Sequence, residues 1–288
     1  MADLSFDAIG TAWTITTATP LAEPVRAAVA GLVEDYDRTW SRFRSDSVIA
    51  PLARTAGTVA LPPSAAPLLS LFDTLHRLTD GALNPLVGHS LEKLGYDAAY
   101  SFAASAPSPA PDWRAAASWE SEGRQVQLRT TEPLTLDIGA AGKGQLVDLV
   151  FDLLQAAGHS EVTVDAGSDL RHAGERPLQV ALEHPYDSTR AIGVVPLRGR
   201  ALCASAANRR AWGDGLHHIL DASTGRPVQA VAATWVLAAD AMSADGLATA
   251  LFFTDPARLA EEFAFDYVRM FSDGRATFSD AMAGVLFS

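Results

Sequence analysis

The sequence predicts an α+β fold of mixed, largely antiparallel sheets with flanking helices. Strand-like runs cluster with one another instead of alternating strictly with helical ones, which argues against a doubly wound parallel sheet. Apolar residues are 48% of the 288 positions and charged ones 19%, a balance that favours a packed core over disorder. No charge run, linker or internal repeat divides the chain, so residues 1–288 are expected to form a single domain.

The elements follow in order. A β-branched run, Ala12 to Thr17, comes after Gly10-Thr11 and reads as the first strand. Pro24 opens a helix whose apolar positions Val25, Val29, Leu32 and Val33 keep the 3.6-residue rhythm. A polar-aromatic loop around Phe43, Trp40 to Ser47, leads on, and a second helix is predicted from Ser64 to Leu78, closed by Asp80-Gly81. Residues 101–111 (SFAASAPSPAP) read as a surface excursion, since small residues and prolines supply no packed face. Strands are predicted at Gln125–Arg129 and Leu134–Ile138, then a helix at Gly144–Ala157. Further strands fall near Val162–Val164, Gln179–Leu182 and Ile192–Pro196, around the His217-His218 pair and at Ala232–Ala238. A helix from Ser243 to Phe253 precedes a C-terminal helix and short hairpin.

Composition excludes several function classes. One cysteine, Cys203, allows neither an intramolecular disulfide framework nor a cysteine zinc cluster. Thirty-four acidic against 22 basic residues give a net charge of -12, which repels nucleic acid in bulk and demands a local exception for any polyanion. Met1 to Asp7 carries no basic n-region and no apolar h-region follows. The longest charge-free apolar stretch, Val228 to Ala239, is too short to span a bilayer. Cytoplasmic location without membrane insertion is therefore the expectation.

Nucleophile-elbow, H-E-x-x-H and C-x-x-C motifs are all missing. Gly139-Ala140-Ala141-Gly142-Lys143-Gly144 has the wrong spacing for a P-loop, yet it is a glycine-rich turn opening a helix, where backbone N–H groups can meet an anion. Lys143 stands out because the chain holds only one other lysine, Lys93; a compact point charge between two glycines suits a phosphate. The alternative is a surface lysine at a helix start. Asp245 and Thr249, one helical turn apart, share a face and offer two oxygen ligands to a hard cation, with helix capping by Asp245 as the alternative. In His217-His218-Ile219-Leu220-Asp221, neighbouring imidazoles on a strand face opposite sides, so at most one can serve a site. Asp80-Gly81-Ala82-Leu83-Asn84-Pro85 and Val164-Asp165-Ala166-Gly167-Ser168-Asp169 are turns rich in backbone donors.

Taken together and in this order, these segments resemble the flavin transferase (ApbE) family of FAD:protein FMN transferases. The resemblance runs from Ile9-Gly10-Thr11 to about Phe253 and includes Trp40-Ser41-Arg42-Phe43, Gly81 to Pro85, Leu136 to Gly139, Lys143-Gly144, Asp148, Gly167-Ser168-Asp169, Ser205, His218 to Asp221 and Ala244-Asp245 with Thr249. It implies a T-fold-like α+β architecture with FAD in a central cleft and Mg²⁺ on its pyrophosphate. It also implies transfer of FMN to a Thr or Ser hydroxyl of an acceptor protein, with release of AMP. By position, the Gly142 carbonyl, Asp245 and Thr249 would hold the metal, and His218 and Lys143 would be catalytic. Ile9, Phe43, Ala82, Leu83, Asn84, Gly139, Gln145 and Ile219 would contact FAD, with Arg209, Arg210 and Arg226 as helpers. The family commonly has Met at position 9, Asp at 84 and Ala at 142. The same residues would also serve an FAD pyrophosphatase or a non-catalytic FAD-binding protein.

Overall fold

The computed structural model describes residues 1–287. Its frame is one antiparallel sheet laid down by strands far apart in the chain. In chain order come β1 (Ala2–Ala8), β2 (Thr11–Thr17), α1 (Glu23–Trp40), β3 (Thr58–Leu61), α2 (Ala65–Leu78), α3 (Gly88–Lys93) and α4 (Trp113–Ala116). Then follow β4 (Ala117–Glu122), β5 (Gln125–Thr130), α5 (Gly142–Ala156), β6 (Val162–Asp165), β7 (Asp169–Ala173), β8 (Leu178–His184), β9 (Asp187–Leu197) and β10 (Ala201–Ala206). Two-residue strands β11 (Ala211–Trp212), β12 (Leu216–His217), β13 (Leu220–Asp221) and β14 (Arg226–Pro227) precede β15 (Val231–Ala238), α6 (Ala241–Ala250), α7 (Pro256–Leu259), β16 (Asp266–Phe271) and β17 (Ala276–Phe278).

Eight strands pair in the order β1-β2-β6-β7-β10-β15-β16-β17, every pair antiparallel. Smaller sheets are β3-β5-β4, the β8–β9 hairpin and the pairs β11–β12 and β13–β14. The α+β expectation holds.

Strand β15 shows how the layers arise. All eight of its residues are buried, because both faces of the sheet are covered. Ala233, Trp235 and Leu237 pack with Leu182, Val195 and Leu197 of the β8–β9 hairpin. The alternate residues Val236 and Ala238 join the main core with Leu146, Val150 and Leu247 from α5 and α6. Those two helices bring the site together, and two devices fix their spacing. At Gly144 a Cβ would lie 2.1 Å from the Ala241 carbonyl oxygen, so only glycine permits the approach. Asp148 of α5 caps the start of α6: its carboxylate accepts from the N–H groups of Ala241 (2.9 Å) and Met242 (2.8 Å) and pairs with Arg171 at 2.8 Å. Burial lifts the Asp148 carboxyl to about 6 despite those donors.

Several expectations need correction. Leu134–Ile138 joins no sheet; its N–H groups at Leu134 and Asp137 bond the Leu52 carbonyl, in a 3-10 turn, and the Pro85 carbonyl, single ties in place of a ladder. The strands around the His217-His218 pair shrink to two-residue pairs. Residues 101–111 do form a surface excursion, exposed from 101 to 106, and it is anchored where the Ser108 carbonyl accepts from the Ser90 hydroxyl at 2.6 Å and Ala110 N–H donates to the Ala222 carbonyl at 2.8 Å. Strand β1, whose edge alternation carries Asp3, Ser5 and Asp7, falls outside the predicted elements, as do β7 and β10.

Candidate active site

A cleft of about 750 Å³ opens where α5, α6, the β1–β2 turn and the loops after Trp40, Leu78 and β10 converge. Residues with unrelated places in the chain meet here because each sits at the end of an element. Ile9 and Gly10 form the tight β1–β2 turn, both at positive φ (44° and 77°), which costs a β-branched isoleucine some backbone strain. Ala82, Leu83 and Asn84 follow the end of α2, while Gly139 and Ala140 precede α5.

The charged end of the cleft is built on α5 and α6. Lys143 is buried against Asp169, with which it forms an ion pair, and its Nζ donates to the Ser168 hydroxyl at 2.7 Å. The surface-lysine alternative is therefore excluded. Burial pulls the ammonium pKa down, but the carboxylates of Asp169 and Asp245 outweigh it and the net shift is upward, so the lysine stays charged. Asp245 is buried and its Oδ2 accepts from the Gly144 N–H at 3.0 Å. Capping is not its task; the N-cap of α6 is Asp240, which accepts from Ser243 N–H at 2.8 Å. Burial and then Asp169 hold the Asp245 carboxyl well above the usual range.

Thr249 completes this face. Its hydroxyl has only long contacts, 3.3 Å to Ser205 Oγ and 3.4 Å to the Ala140 carbonyl. Gly142 lines the cleft too, but its carbonyl accepts the Tyr36 hydroxyl at 2.8 Å, and the carbonyl beside Thr249 is that of Ala140. A Cβ at position 142 would stand 2.4 Å from Ile138 Cδ1, the tip of a side chain that can shift, so alanine there needs only a rearrangement of Ile138.

Two buried carboxylates against one ammonium leave this corner short of positive charge, and a divalent cation fits that deficit. Among the described residues no three His, Cys, Asp or Glu side chains gather as a metal cluster. The donor set is therefore one carboxylate with hydroxyl and carbonyl oxygens, the chemistry of Mg²⁺ sharing its shell with phosphate.

The histidine pair splits, although only His217 is in a strand, β12, and His218 lies in the bend after it. His217 turns inward: Nε2 donates to the Val228 carbonyl at 2.9 Å and Nδ1 accepts from Ile219 N–H at 3.3 Å. His218 lines the cleft, and its buried Nδ1 makes no hydrogen bond. Burial, then Arg210, pushes its pKa down to about 3, so the imidazole is neutral.

The opposite end is aromatic. Phe43, Tyr96, Tyr100, Phe102 and Trp212 line it, of which the sequence reading named only Phe43. Below them Arg42 forms a buried ion pair with Asp137 (2.6 Å) and donates to the Tyr96 carbonyl at 2.9 Å. The only signal for this cluster was the aromatic spacing of 96, 100 and 102, scattered through a loop without periodicity.

Gln145 alone among the anticipated contacts does not line the cleft. Its amide donates to the Ser64 carbonyl at 2.7 Å and faces the Tyr36 hydroxyl at 3.0 Å, holding α1, α2 and α5 together. Asn84 does line it, but its amide is spent on Pro111 O and Leu86 N–H, both at 2.8 Å. Arg209 and Arg210 border the cleft, whereas Arg226 is exposed outside it.

A sequence model of the ApbE family matches residues 9–267. This chain belongs to the ApbE family. Among its ApbE relatives, proteins named FAD:protein FMN transferase are 30% identical in Treponema pallidum (88% of this chain, 78% of that one) and 26% identical in Klebsiella pneumoniae (82% and 72%). The solved structure of flavin transferase ApbE from Vibrio cholerae superposes with a TM-score of 0.79 at 24% identity over 99% of both chains. The ApbE protein of Thermotoga maritima reaches 0.84 at 22% identity over 100% and 99%. These likenesses establish the shared ApbE fold.

Proposed function

We propose that this chain is an Mg²⁺-dependent FAD:protein FMN transferase that joins FMN to a Ser or Thr hydroxyl of an acceptor protein and releases AMP. The observation that carries the reading is the meeting of Lys143, Asp245, Thr249 and His218 in one cleft. The names of the ApbE relatives support the reaction class.

Lys143, fixed by Ser168 and Asp169, binds the diphosphate bridge and supplies the local positive charge that a chain of net charge -12 needs. Asp245, Thr249 and the Ala140 carbonyl would hold the cation. When bound, Mg²⁺ supplies charge neutralisation on the phosphate oxygens. The acceptor hydroxyl oxygen attacks the phosphorus of the FMN half, a P–O bond forms, and the P–O bond to the AMP half breaks. His218, neutral before substrate arrives, takes the hydroxyl proton on its imidazole ring. The aromatic end stacks a planar ring, and Ile9, Ala82, Leu83, Gly139 and Ile219 frame the rest of the dinucleotide.

Incubation with FAD, Mg²⁺ and an acceptor, read by mass spectrometry, is expected to give an FMN adduct and equimolar AMP. AMP and FMN released equally fast without any acceptor would instead assign a pyrophosphatase.

A further inference from the structure

The ring expected to stack on a flavin is already covered by its own chain. Tyr100 lies parallel to Phe43, with centroids 5.5 Å apart and planes 8° apart, while the Arg42 guanidinium sits 4.1 Å from the Phe43 centroid. Tyr100 belongs to an unusual loop. Tyr100 and Phe102 both adopt positive φ, 48° and 49°, conformations that cost aromatic residues steric strain. Both rings remain about half exposed, at 47% and 49%.

The loop backbone is held along its length, with Tyr100 N–H donating to the Asp97 carbonyl at 3.0 Å and Phe102 N–H to the Gly95 carbonyl at 2.9 Å, so the two rings are its free parts. Asp97 accepts from Ala99 N–H, Ser101 N–H and Ser101 Oγ, and Ser105 N–H donates to the Lys93 carbonyl at 2.7 Å. At Gly95, with φ of 90°, a Cβ would meet Ala103 N at 2.5 Å, which closes the loop's neck. Behind the apex, Trp212 is immobilised by its bond to the Leu94 carbonyl (2.7 Å) and stacks on Tyr96 at 5.4 Å. A rigid aromatic wall thus faces a strained, half-exposed pair of rings at the cleft mouth. Strain and exposure of this kind collect where a ligand completes the packing.

We propose that Tyr100 is a ligand-stacking residue: its ring and that of Phe43 are the two leaves of a clasp for a planar heteroaromatic ring of the bound dinucleotide. The inference rests on the FAD reading of the cleft. In the structure the leaves touch each other. Admitting a ring between them needs a separation of about 7 Å, twice the carbon contact distance, against the present 5.5 Å between centroids, so the Tyr100 ring swings outward. Tyr100 thereby holds the hydrophobic face of Phe43 covered until a ring of matching shape replaces it. Two rings of FAD have that shape, the isoalloxazine and the adenine.

The test is calorimetric binding of FAD, FMN and AMP to the full chain with Tyr100 as Tyr, Phe, Leu and Ala. Tyr100→Phe keeps the flat ring and is expected to bind FAD within about twofold of the parent, as ring stacking does not need the hydroxyl. Tyr100→Leu and Tyr100→Ala are expected to weaken FAD by roughly ten- to a hundredfold, the usual cost of losing one stacked ring. Thermal melts should stay unchanged because the side chain is exposed; Tyr100→Leu keeps apolar bulk if Tyr100→Ala is poorly folded. Matching loss for FMN with AMP unaffected assigns the isoalloxazine; the reverse assigns the adenine. Either supports the clasp. Parent-like binding of all three ligands by Tyr100→Ala and Tyr100→Leu overturns it, as does a loss in Tyr100→Phe equal to that in Tyr100→Ala. A parent protein that binds neither FAD, FMN nor AMP overturns the reading of the cleft itself, and the clasp with it.

Discussion

The backbone N–H of Gly144 reaches across 101 residues of sequence to Oδ2 of Asp245, at 3.0 Å. That one bond joins the turn carrying Lys143 to the helix carrying the acid, and it exists because residue 144 has no side chain. Gly144→Ala would push a methyl group to 2.1 Å from the Ala241 carbonyl oxygen and 2.8 Å from Asp245 Cβ. Backbone cannot yield as a side-chain tip can, so the helices separate, at a cost of about 1–3 kcal/mol. Denaturant unfolding is expected to report that loss. Titration of Mg²⁺ with FAD present should show weaker binding in the same variant.

Asp245 is held above the ordinary carboxylate range by burial and by Asp169, so its ionised form opposes folding when no cation is bound. A carboxyl with a raised native pKa contributes stability that is full below about 3.8 and disappears as pH rises. Asp245→Asn removes that burden. In EDTA near neutral pH the variant should melt no lower than the parent. Added Mg²⁺ should raise the melting temperature of the parent alone, and the variant should lose transfer. A melt in EDTA well below the parent's would mean that the carboxylate is structural.

His218 predicts the opposite slope. Its pKa falls from 6.5 to about 3 on folding, so between those values the unfolded chain binds the extra proton. The stability it contributes is full above 6.5 and is lost as pH drops toward 3, by about 1.4 kcal/mol per unit at most. His218→Phe should flatten that acid limb in denaturation curves measured from pH 7 to 4.5. The same variant is expected to bind FAD normally and to slow transfer by roughly 10²–10⁴, the usual share of a general base.

The legible parts of this molecule were those with a local signature. Helices α1, α2, α5 and α6 announced themselves by apolar spacing and by Pro or Gly at their ends, and the structure displaces their limits by only a few residues. Asp245 and Thr249 were legible because one helical turn is a fixed geometry. The pairing of Lys143 with Asp169 was not, since nothing in two separate glycine turns says that they meet. Leu134–Ile138 misled because a short run alternating apolar and polar residues reads as a strand whether or not a neighbour pairs with it. Gln145 misled for the reverse reason. It sits two residues from Lys143 on the first turn of α5, where a rotation of about 200° turns a side chain away from the cleft.

The buried pair Arg42–Asp137 ties the Phe43 loop to the segment before α5, with the Arg42 side chain 3% exposed and its Nη1 making no hydrogen bond, only a 3.9 Å ion pair with Glu92. Arg42→Ala would strand Asp137, which the guanidinium holds below the usual carboxylate range against the upward push of burial. A cost of about 3–5 kcal/mol is expected, in line with breaking one side of a buried pair. Removing both charges in Arg42→Met/Asp137→Asn should recover a substantial part of it. A double-mutant cycle in urea checks this; additive single effects would show that the pair is not coupled.

Gln145 offers the cleanest separation of packing from ligand contact. Its amide bonds Ser64 and Tyr36, and the cleft wall beside it is made by Gly142 and Lys143 instead. Gln145→Ala takes the amide donor from the Ser64 carbonyl, while the Tyr36 hydroxyl keeps its bond to the Gly142 carbonyl, a cost of about 1–3 kcal/mol. Denaturant midpoints should fall accordingly. FAD affinity, measured calorimetrically at a temperature where the variant is fully folded, should match the parent within about twofold, because no binding surface is lost. A large drop in affinity without a drop in stability would return Gln145 to the dinucleotide's contacts.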